Sequence, residues 1–364
     1  SRQIARIMAE EARAIGVNWT FTPVIDINAA FRSAIVATRG FGAVVDKIEA
    51  QALTQIAEFQ AAGVAATVKH WPGEGHDDRD QHLVTTINPL SLEDWEATHG
   101  RLYRAAIAAG VKSVMSAHIA FPAFVRALDP QAGIEAFRPA TVSRTLTHGL
   151  LRERLGFNGL IVSDATPMAG FGAWAKRSEM LPEVIAAGCD LILFSDDPEG
   201  DLALIEAAIA DGRISQARLT EALTRTLGLK AALGLHKARP VSDLARLARP
   251  EDRATARAVT GRAPTLVKDV NGLLPLSSTR HRRVLMVSGG VVQPFFPDPL
   301  PLDLPDLMRA EGFEVTLFQP GQHIRPADWD LMVFAFAEET LLTRGRIFLD
   351  WAKVMGGFGP AMER

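Results

Sequence analysis

Apolar positions in the first 236 residues follow two alternating spacings. Segments with apolar residues three and four positions apart predict helices with one buried face, and each leads through a glycine to a short apolar run. Such runs are typical of parallel strands buried on both faces. The unit occurs five times, which predicts an α/β fold with a parallel sheet. The predicted strands are VNWTFTPVID, VAATVKH, VKSVMSAH, LIVSDA and CDLILFSDD. The glycines expected to cap the helices in a left-handed conformation are Gly16, Gly63, Gly110, Gly156 and Gly188.

Each predicted strand ends in polar residues that can carry out chemistry. They are Asp26, Lys69 and His70, Ser116 and His118, Asp164, and the run Ser195 to Asp197. Reactive side chains at the C-terminal ends of several strands build the active site of a (β/α)8 barrel, whereas an open sheet concentrates its ligands near one switch point. We therefore expect a (β/α)8 TIM-type barrel over residues 1–236. Because only five strands are evident, its first strands are expected upstream of Ser1.

The composition changes after residue 236. Residues 237–263 are charged and arginine-rich, which predicts a helical linker. Beyond it, TLVKDVNGLLPL predicts a hairpin, RRVLMVSGG and WDLMVFAFA predict buried strands, and LPDLMRAEGFEVTLFQ predicts a helix, a turn and a strand. Residues 264–364 are therefore expected to form a partial C-terminal α/β sandwich domain.

Composition and charge exclude several classes of protein. The chain has 364 residues, 48% of them hydrophobic and 22% charged, with a net charge of −3, so neither a disordered chain nor a nucleic-acid partner is indicated. No uncharged apolar run reaches the ~18 residues of a membrane span. The single cysteine, Cys189, excludes an internal disulfide framework and a four-cysteine zinc site. The chain is expected to be truncated at both ends, and its compartment stays open between the cytoplasm and export.

The densest polar cluster is KHWPGEGHDDRDQH, residues 69–82. It directly follows a predicted buried strand, so it is expected to form a long loop on the catalytic face. Burying so many polar groups without partners would cost several kcal/mol, so a core role is excluded and a solvated loop is the alternative. Within it, Trp71 could stack on a sugar or simply wedge the loop.

Two features of the sequence could supply acid, base or nucleophile. Asp164 ends an apolar strand, where it either faces a pocket or caps the following helix. Asp80 and His82 are two residues apart and point to the same side of an extended segment. The carboxylate could then fix the imidazole tautomer and raise its basicity for general acid/base chemistry. The alternative is two unrelated loop residues.

Four motifs in order make the chain resemble glycoside hydrolase family 3, in its β-N-acetylglucosaminidase branch. The loop resembles the K-H-F-P-G-x-G…D-x-H segment of that family, and FTPVIDIN its A-P-V-x-D-x-N strand. VATRGFG is similar to its I-G-x-R-x-F-G segment, and LIVSDATPM to its nucleophile strand. One departure is Glu74, which stands where many relatives have a second histidine.

The resemblance implies roles for six residues and a carbohydrate substrate containing N-acetylglucosamine. Asp164 matches the nucleophile that forms a covalent glycosyl-enzyme, and His82 matches the general acid/base with Asp80 as its partner. The residues matching those that hydrogen-bond the sugar hydroxyls are Arg39, Lys69 and His70. The implied reaction is hydrolysis of terminal β-linked N-acetylglucosamine with retention, without metal or organic cofactor.

Other functions stay open at this point. A β-glucosidase or a β-glycoside phosphorylase of the same family is one alternative, and an inactive sugar-binding remnant is another. A third is a metal-dependent TIM-barrel hydrolase. The side chains that could ligate a divalent ion are His70, His76, His82, Asp77, Asp78 and Asp80.

Overall fold

The structure, a computed structural model, describes residues 2–33, 35–237, 243–270, 272–289 and 302–336. The chain consists of two compact units, Ser1–Arg262 and Ala263–Arg364. In the first unit the helices are α1 (Arg2–Ala14), α2 (Val45–Ala61), α3 (Leu92–Ala97), α4 (His99–Ala108), α5 (Pro122–Leu128), α6 (Ala169–Gly172), α7 (Arg177–Ala187), α8 (Pro198–Ala210), α9 (Gln216–Ala232) and α10 (Pro250–Thr260). A π-helical segment covers Thr145–Arg154, and short 3-10 turns cover Gly133–Phe137, Ala140–Val142 and Leu244–Arg246. The strands are β1 (Thr67–Trp71), β2 (Thr86–Ile87), β3 (Ser113–Ser116), β4 (Ile119–Ala120), β5 (Leu160–Ala165) and β6 (Leu191–Leu193).

Four of these strands form one parallel sheet in the order β1-β3-β5-β6. Residues 17–27 lie beside β1 and extend the sheet in the same direction, through the bridges Trp19–Ala65 and Val24–Lys69. The pairing is irregular between these bridges, because Pro23 has no N–H to donate. All five predicted strand segments are thus neighbours in chain order, with helices between them. This is the β/α arrangement of a TIM-type fold.

The glycines predicted to end five helices all have positive φ. The angles are 92°, 77°, 73°, 71° and 128° at residues 16, 63, 110, 156 and 188. Gly188 shows what this achieves, since its N–H donates to Ile185 O as α7 ends and the chain can turn directly into β6. The prediction of left-handed caps is confirmed.

Aromatic side chains fill the space behind β1. Trp71 is fully buried and packs edge-on against Trp95 and Tyr103, with ring centroids 5.8 and 4.7 Å away. A side chain enclosed in this way cannot stack on a sugar. Trp71 therefore anchors the start of the 69–82 loop to the core.

The segment after residue 242 packs against the first helix of the same unit. Arg249 forms an ion pair with Glu10 at 2.7 Å, and the Ala248 N–H donates to Glu11 Oε1 at 2.7 Å. Both acidic residues belong to α1, so α10 is part of the first compact unit. Residues 238–242 of the predicted linker lie outside the described residues.

The second unit holds a three-stranded parallel sheet in the order β8-β7-β9. The described elements are β7 (Arg283–Gly289), α11 (Leu304–Ala310), β8 (Glu314–Leu317), a 3-10 turn at Pro326–Asp328 and β9 (Leu331–Phe336). These match the predicted strands and helix, whereas 290–301 and 337–364 of the predicted sandwich lie outside the described residues.

The predicted hairpin in TLVKDVNGLLPL is wrong. Its described residues form no strand, and Leu266, Val267 and Val270 are 64%, 91% and 73% exposed. Alternating apolar residues stabilise a hairpin only where one face is buried, and this segment has no such face.

Candidate active site

The parallel sheet brings the polar strand ends to one edge. Asp26 ends the segment beside β1, Lys69 and His70 lie in β1, His118 follows β3, and Asp164 lies in β5. The carboxyl ends of parallel strands meet at the same face of the fold, which is where TIM-type enzymes build their sites.

Asp26 and His70 form a buried pair where the segment 17–27 meets β1. Asp26 Oδ2 is 2.6 Å from His70 Nδ1, and Oδ1 accepts from the backbone N–H groups of His70 and Glu74 at 2.9 and 3.0 Å. Burial alone would raise the pKa of Asp26, but His70 and these donors outweigh it and lower the pKa to about 2. Asp26 is therefore a carboxylate that fixes the ring of His70.

Arg39 lies against the other nitrogen of that ring. Because the Asp26 carboxylate only accepts, His70 Nδ1 carries the proton, and Nε2 can accept from Arg39 Nη2 at 3.5 Å. Burial lowers the pKa of His70 despite the attraction of Asp26. The structure thus brings together the two predicted sugar-binding residues Arg39 and His70, in a neutral-imidazole arrangement.

Lys69 lies between charges of both signs. Burial lowers the pKa of its ammonium, and repulsion from Arg39 adds to this effect, whereas Asp164 and Asp26 oppose it. The Nζ atom also lies 5.8 Å from the centre of the Phe21 ring. The third predicted sugar-binding residue is therefore within electrostatic reach of the predicted nucleophile.

Asp164 is buried, with 7% of its surface exposed, and accepts from the Ala165 N–H at 2.8 Å. Burial would raise its pKa, but His70, His118, the Ala165 N–H and Lys69 together lower it. The alternative role as a cap does not apply to α6, which begins after Met168 without a side-chain cap. Asp164 is thus an ionised carboxylate aimed at a polar site rather than a helix cap.

The Asp80–His82 pair forms, but in a turn and not in the extended segment that was predicted, since the Leu83 and Val84 N–H groups donate to Asp80 O. His82 Nδ1 is 2.7 Å from Asp80 Oδ1, which also accepts from the His82 backbone N–H at 2.8 Å. Asp80 is buried, whereas a fifth of the His82 side chain is exposed. The carboxylate therefore holds the ring through Nδ1, which leaves Nε2 for proton exchange with a bound molecule.

His118 lies within electrostatic reach of both the predicted acid/base and the predicted nucleophile. Its Nε2 donates to the Ala165 carbonyl at 3.0 Å, and its Nδ1 is 3.0 Å from Thr141 Oγ1. Burial lowers the pKa of this ring, Asp164 opposes the effect, and His82 and His70 add to it. Asp164, His82 and His70 thus share one electrostatic environment around a buried histidine.

The proposed metal ligands do not converge as a set. Among the described residues, ligand atoms within 4.8 Å of one another belong to Asp26, His70 and Glu74, so only His70 comes from the six predicted candidates. Asp26 and His70 are hydrogen-bonded to each other. Asp77 instead pairs with Arg79 and accepts from the Ile87 N–H.

Sequence reasoning placed Asp26 among the polar strand ends and named Glu74 only as a departure from the family motif, and it gave Gln81 no role. Asp26 stands out in the sequence as a carboxylate that ends an apolar strand. Its partner His70 is 44 positions away. The Glu74–Gln81 contact, at 2.9 Å between Gln81 Nε2 and Glu74 Oε2, is buried and has no sequence signature.

Comparison with known proteins gives a consistent family. The model of the glycosyl hydrolase family 3 N-terminal domain matches residues 1–229. A Cellulomonas fimi protein named beta-N-acetylglucosaminidase/beta-glucosidase is 41% identical over 390 residues, covering 99% of this chain and 67% of that protein. A Methylobacillus flagellatus beta-hexosaminidase is 30% identical over 203 residues, covering 55% of each. The chain thus spans between about half and two thirds of these relatives.

Solved structures agree with the sequence relatives. The beta-glucoside phosphorylase BglX is similar with a TM-score of 0.90 at 32% identity, covering 97% of this chain and 66% of that one. A family 3 beta-N-acetylglucosaminidase from Paenibacillus is similar with a TM-score of 0.78 at 28% identity, covering 92% and 64%. The TIM-type fold predicted from the sequence is confirmed. Within the described residues, no helix is long and apolar enough to cross a bilayer.

Proposed function

The chain belongs to glycosyl hydrolase family 3, and from this membership we propose that it is a retaining, exo-acting β-N-acetylglucosaminidase. Its reaction would release terminal β-linked N-acetylglucosamine from a small carbohydrate. The observation that carries the proposal is the hydrogen-bonded Asp80–His82 pair on the loop after β1, on the same face as the ionised Asp164. The names of the Cellulomonas and Methylobacillus relatives support the N-acetylated substrate.

In the first step, an Asp164 oxygen attacks the anomeric carbon while the bond from that carbon to the leaving oxygen breaks. His82 Nε2 gives its proton to the leaving oxygen, so the departing alcohol is neutral. A covalent glycosyl-enzyme on Asp164 results. Asp80 stabilises the protonated ring before the transfer and holds it in place throughout.

In the second step, His82 takes a proton from water, and the resulting hydroxide attacks the anomeric carbon. The bond to Asp164 breaks, which restores its carboxylate and leaves the sugar with its original configuration. Two inversions at the same carbon produce this retention. Every group needed is a side chain of this protein, so the reaction requires no cofactor.

Arg39, Lys69 and His70 would hold the sugar hydroxyls. Arg39 and Lys69 supply cationic donors, and the Asp26–His70 pair supplies a ring of fixed orientation. Donors fixed before the substrate arrives lose little free energy in reorganising, which is how such sites stabilise charge in the transition state. The lowered pKa of Asp164 also keeps the nucleophile ionised beside them.

A phosphorylase is the second candidate, and the likeness to BglX at a TM-score of 0.90 favours it. In that reaction a phosphate oxygen replaces water and attacks the glycosyl-enzyme, which gives a sugar 1-phosphate and a free Asp164. A neutral histidine repels an anionic acceptor less than a carboxylate base does, so the Asp80–His82 pair is compatible with either acceptor.

One assay separates these functions. The chain, dialysed against a chelator, is given an aryl β-N-acetylglucosaminide and the matching β-glucoside, each with and without phosphate. We expect nitrophenol release from the N-acetylated substrate and free N-acetylglucosamine as product. Release from the glucoside alone would favour a β-glucosidase, and a sugar 1-phosphate would favour the phosphorylase. Activity that disappears with the chelator and returns with a divalent ion would contradict the metal-free mechanism.

A further inference from the structure

Gln81, between the two members of the acid/base pair, is fully buried. Its amide bridges two distant groups, because Oε1 accepts from the His118 N–H at 3.0 Å and Nε2 donates to Glu74 Oε2 at 2.9 Å. The His118 N–H can only donate, so the orientation of the amide is determined. Glu74 must therefore act as the acceptor in this contact.

Glu74 contacts the Asp26–His70 pair. Its backbone N–H donates to Asp26 Oδ1, and its side chain is 2% exposed. Burial and the neighbouring Asp26 carboxylate raise the pKa of Glu74 well above its usual range. A neutral acid in this position still accepts from Gln81 without placing a second negative charge beside Asp26.

The same loop is attached on its other side to the segment that follows the nucleophile. The Ala169 N–H donates to the His82 carbonyl at 3.0 Å, and Thr85 Oγ1 donates to the Gly170 carbonyl at 2.8 Å. Gly170 packs so closely that a Cβ there would lie 2.0 Å from the Gln81 carbonyl oxygen. The acid/base loop is thus held between the sugar-binding edge of the sheet and the chain beyond Asp164.

We propose that Glu74 and Gln81 are positioning residues, which through their hydrogen bond hold the Asp80–His82 pair in register with the sugar-binding residues and with Asp164. The proposal rests on the proposed glycosidase function. Since Glu74 stands where many relatives have a histidine, the contact also departs from the family motif. Neither residue exchanges a proton with the substrate in this account.

Loss of this hydrogen bond should affect general acid catalysis and not nucleophilic attack. Without the Glu74–Gln81 hydrogen bond, His82 is no longer within proton-transfer distance of the leaving oxygen, but Asp164 still attacks. General acid catalysis contributes about 10²–10⁴-fold and matters only when the leaving group needs a proton. We therefore expect E74L and Q81L each to lower kcat/KM for a chitin disaccharide by about 10–100-fold. For a dinitrophenyl β-N-acetylglucosaminide we expect kcat/KM to fall by less than about threefold.

Two matched variants serve as controls. E74Q keeps a carbonyl oxygen to accept from Gln81, so its kcat/KM for the disaccharide should stay within about threefold of wild type. Q60L removes a similar bridge elsewhere, where Gln60 accepts from the Lys112 N–H and donates to the Gly110 carbonyl. Its kcat/KM for each of the two substrates should equal that of the wild type. The double variant E74L/Q81L should lose no more than Q81L alone, since Q81L already removes the contact with Glu74 together with the one to the His118 N–H.

Backbone hydrogen exchange over residues 77–86 tests whether the Glu74–Gln81 hydrogen bond holds this loop, without relying on catalysis. Exchange should accelerate in E74L and Q81L but not in E74Q or Q60L. Unchanged exchange in the two leucine variants, or equal losses on both substrates, would overturn the proposal while leaving the proposed function standing. A wild-type chain without glycosidase activity would instead contradict the proposed function. Hydrogen exchange would still show whether the Glu74–Gln81 hydrogen bond holds the loop.

Discussion

Two buried polar clusters lie at opposite ends of the same sheet, and they are built differently. The cluster at the N-terminal ends of the strands, here the base cluster, centres on Asp190 just before β6. Its carboxylate accepts from Arg152, from Arg218 and from the Ile161 N–H. Both arginines also donate to backbone carbonyls, such as Phe157 O and Cys189 O. The result fastens α9 and the π-helical segment to the sheet. Like charges also meet here, because burial and the nearby Arg225 and Arg218 lower the pKa of Arg152 to about 10 despite the attraction of Asp190.

The cluster at the C-terminal ends, here the catalytic cluster, sets like charges and neutral groups side by side. Asp26 lies next to Glu74, whose pKa is raised, and Lys69 lies next to Arg39, whose charge contributes to lowering the pKa of Lys69. Shifted pKa values of buried groups are typical of reactive sites, but ion-pair networks that only stabilise the fold show them too. The comparison shows that burial, charge density and a shifted pKa do not identify the site on their own. The two clusters differ in the partners of the central carboxylate, because Asp190 is bonded by two arginines, whereas Asp164 accepts from its own neighbour Ala165.

Cavity volume does not identify the catalytic end of the sheet. A cavity of about 1000 Å³ lies at the base end, lined by residues that include Lys112, Asn158, Glu221 and Arg225. None of the predicted catalytic or sugar-binding residues lines it. In TIM-type folds this end serves stability rather than chemistry, which agrees with the ion pairs of Arg152 and Arg218 to Asp190.

The largest expected effect comes from the nucleophile. D164N removes the attacking oxygen, so kcat should fall on the order of 10⁴-fold or more for every substrate, activated or not. Steady-state assays with aryl and disaccharide substrates check this, with circular dichroism to show that the variant is folded. Residual turnover near the wild-type rate would exclude Asp164 as the nucleophile.

Next in size is the acid/base. H82A should reduce kcat/KM for a disaccharide by about 10²–10⁴-fold and for a dinitrophenyl glycoside far less, because only the poor leaving group needs a proton. The slope of log kcat/KM against leaving-group pKa measures the difference. An equal loss across the series would argue that His82 only binds the sugar.

The sequence predicted the strands and helices that carry the two clusters more completely than it predicted the side-chain contacts within them. Five strands and five glycine caps follow from local spacing. The two-residue spacing also predicted the Asp80–His82 contact, but a turn rather than an extended segment brings the two side chains together. The roles of Asp26 and Gln81 could not be predicted, because Asp26 is 44 positions from His70 and Gln81 is 37 positions from His118, and these residues meet only when the sheet forms. The hairpin near Val267 failed because alternation does not show whether a face will be covered.

At the base cluster a comparable loss should appear in stability instead of rate. D190A leaves Arg152 and Arg218 buried without their carboxylate, which should lower the free energy of unfolding by about 3–5 kcal/mol. Urea denaturation measures the change, and kcat per folded molecule should stay unchanged. D211A, which breaks an exposed pair with Arg213, is the matched control and should lower the free energy of unfolding far less than D190A does. A loss of kcat in folded D190A would contradict the division between the two ends.

A smaller, pH-dependent effect is expected from His99, behind the catalytic cluster. The ring packs against Gly73, its centre is 5.3 Å from that of His76, and both nitrogens are buried without a hydrogen-bond partner among the described residues. Burial, with a smaller contribution from His76, lowers the pKa of His99 to about 3. The unfolded chain then binds a proton that the folded chain does not, so stability is full above pH 6.5 and falls as the pH drops toward 3.

At pH 5 this difference amounts to about 2 kcal/mol relative to neutral pH. H99L should remove that part of the acid sensitivity, as measured by urea denaturation at pH 7 and pH 5. H236L, at an exposed histidine, is the control and should keep the wild-type dependence. An unchanged difference between the two pH values in H99L would show that His99 is not the responsible group.

The most direct test of the central claim is to trap the glycosyl-enzyme. The chain is reacted with a 5-fluoro β-N-acetylglucosaminyl fluoride, whose slow turnover accumulates the covalent intermediate, and the labelled peptide is sequenced by mass spectrometry. We predict one sugar per molecule, attached to Asp164. A label on another carboxylate, or unlabelled protein that still turns over the aryl glycoside, would contradict the mechanism.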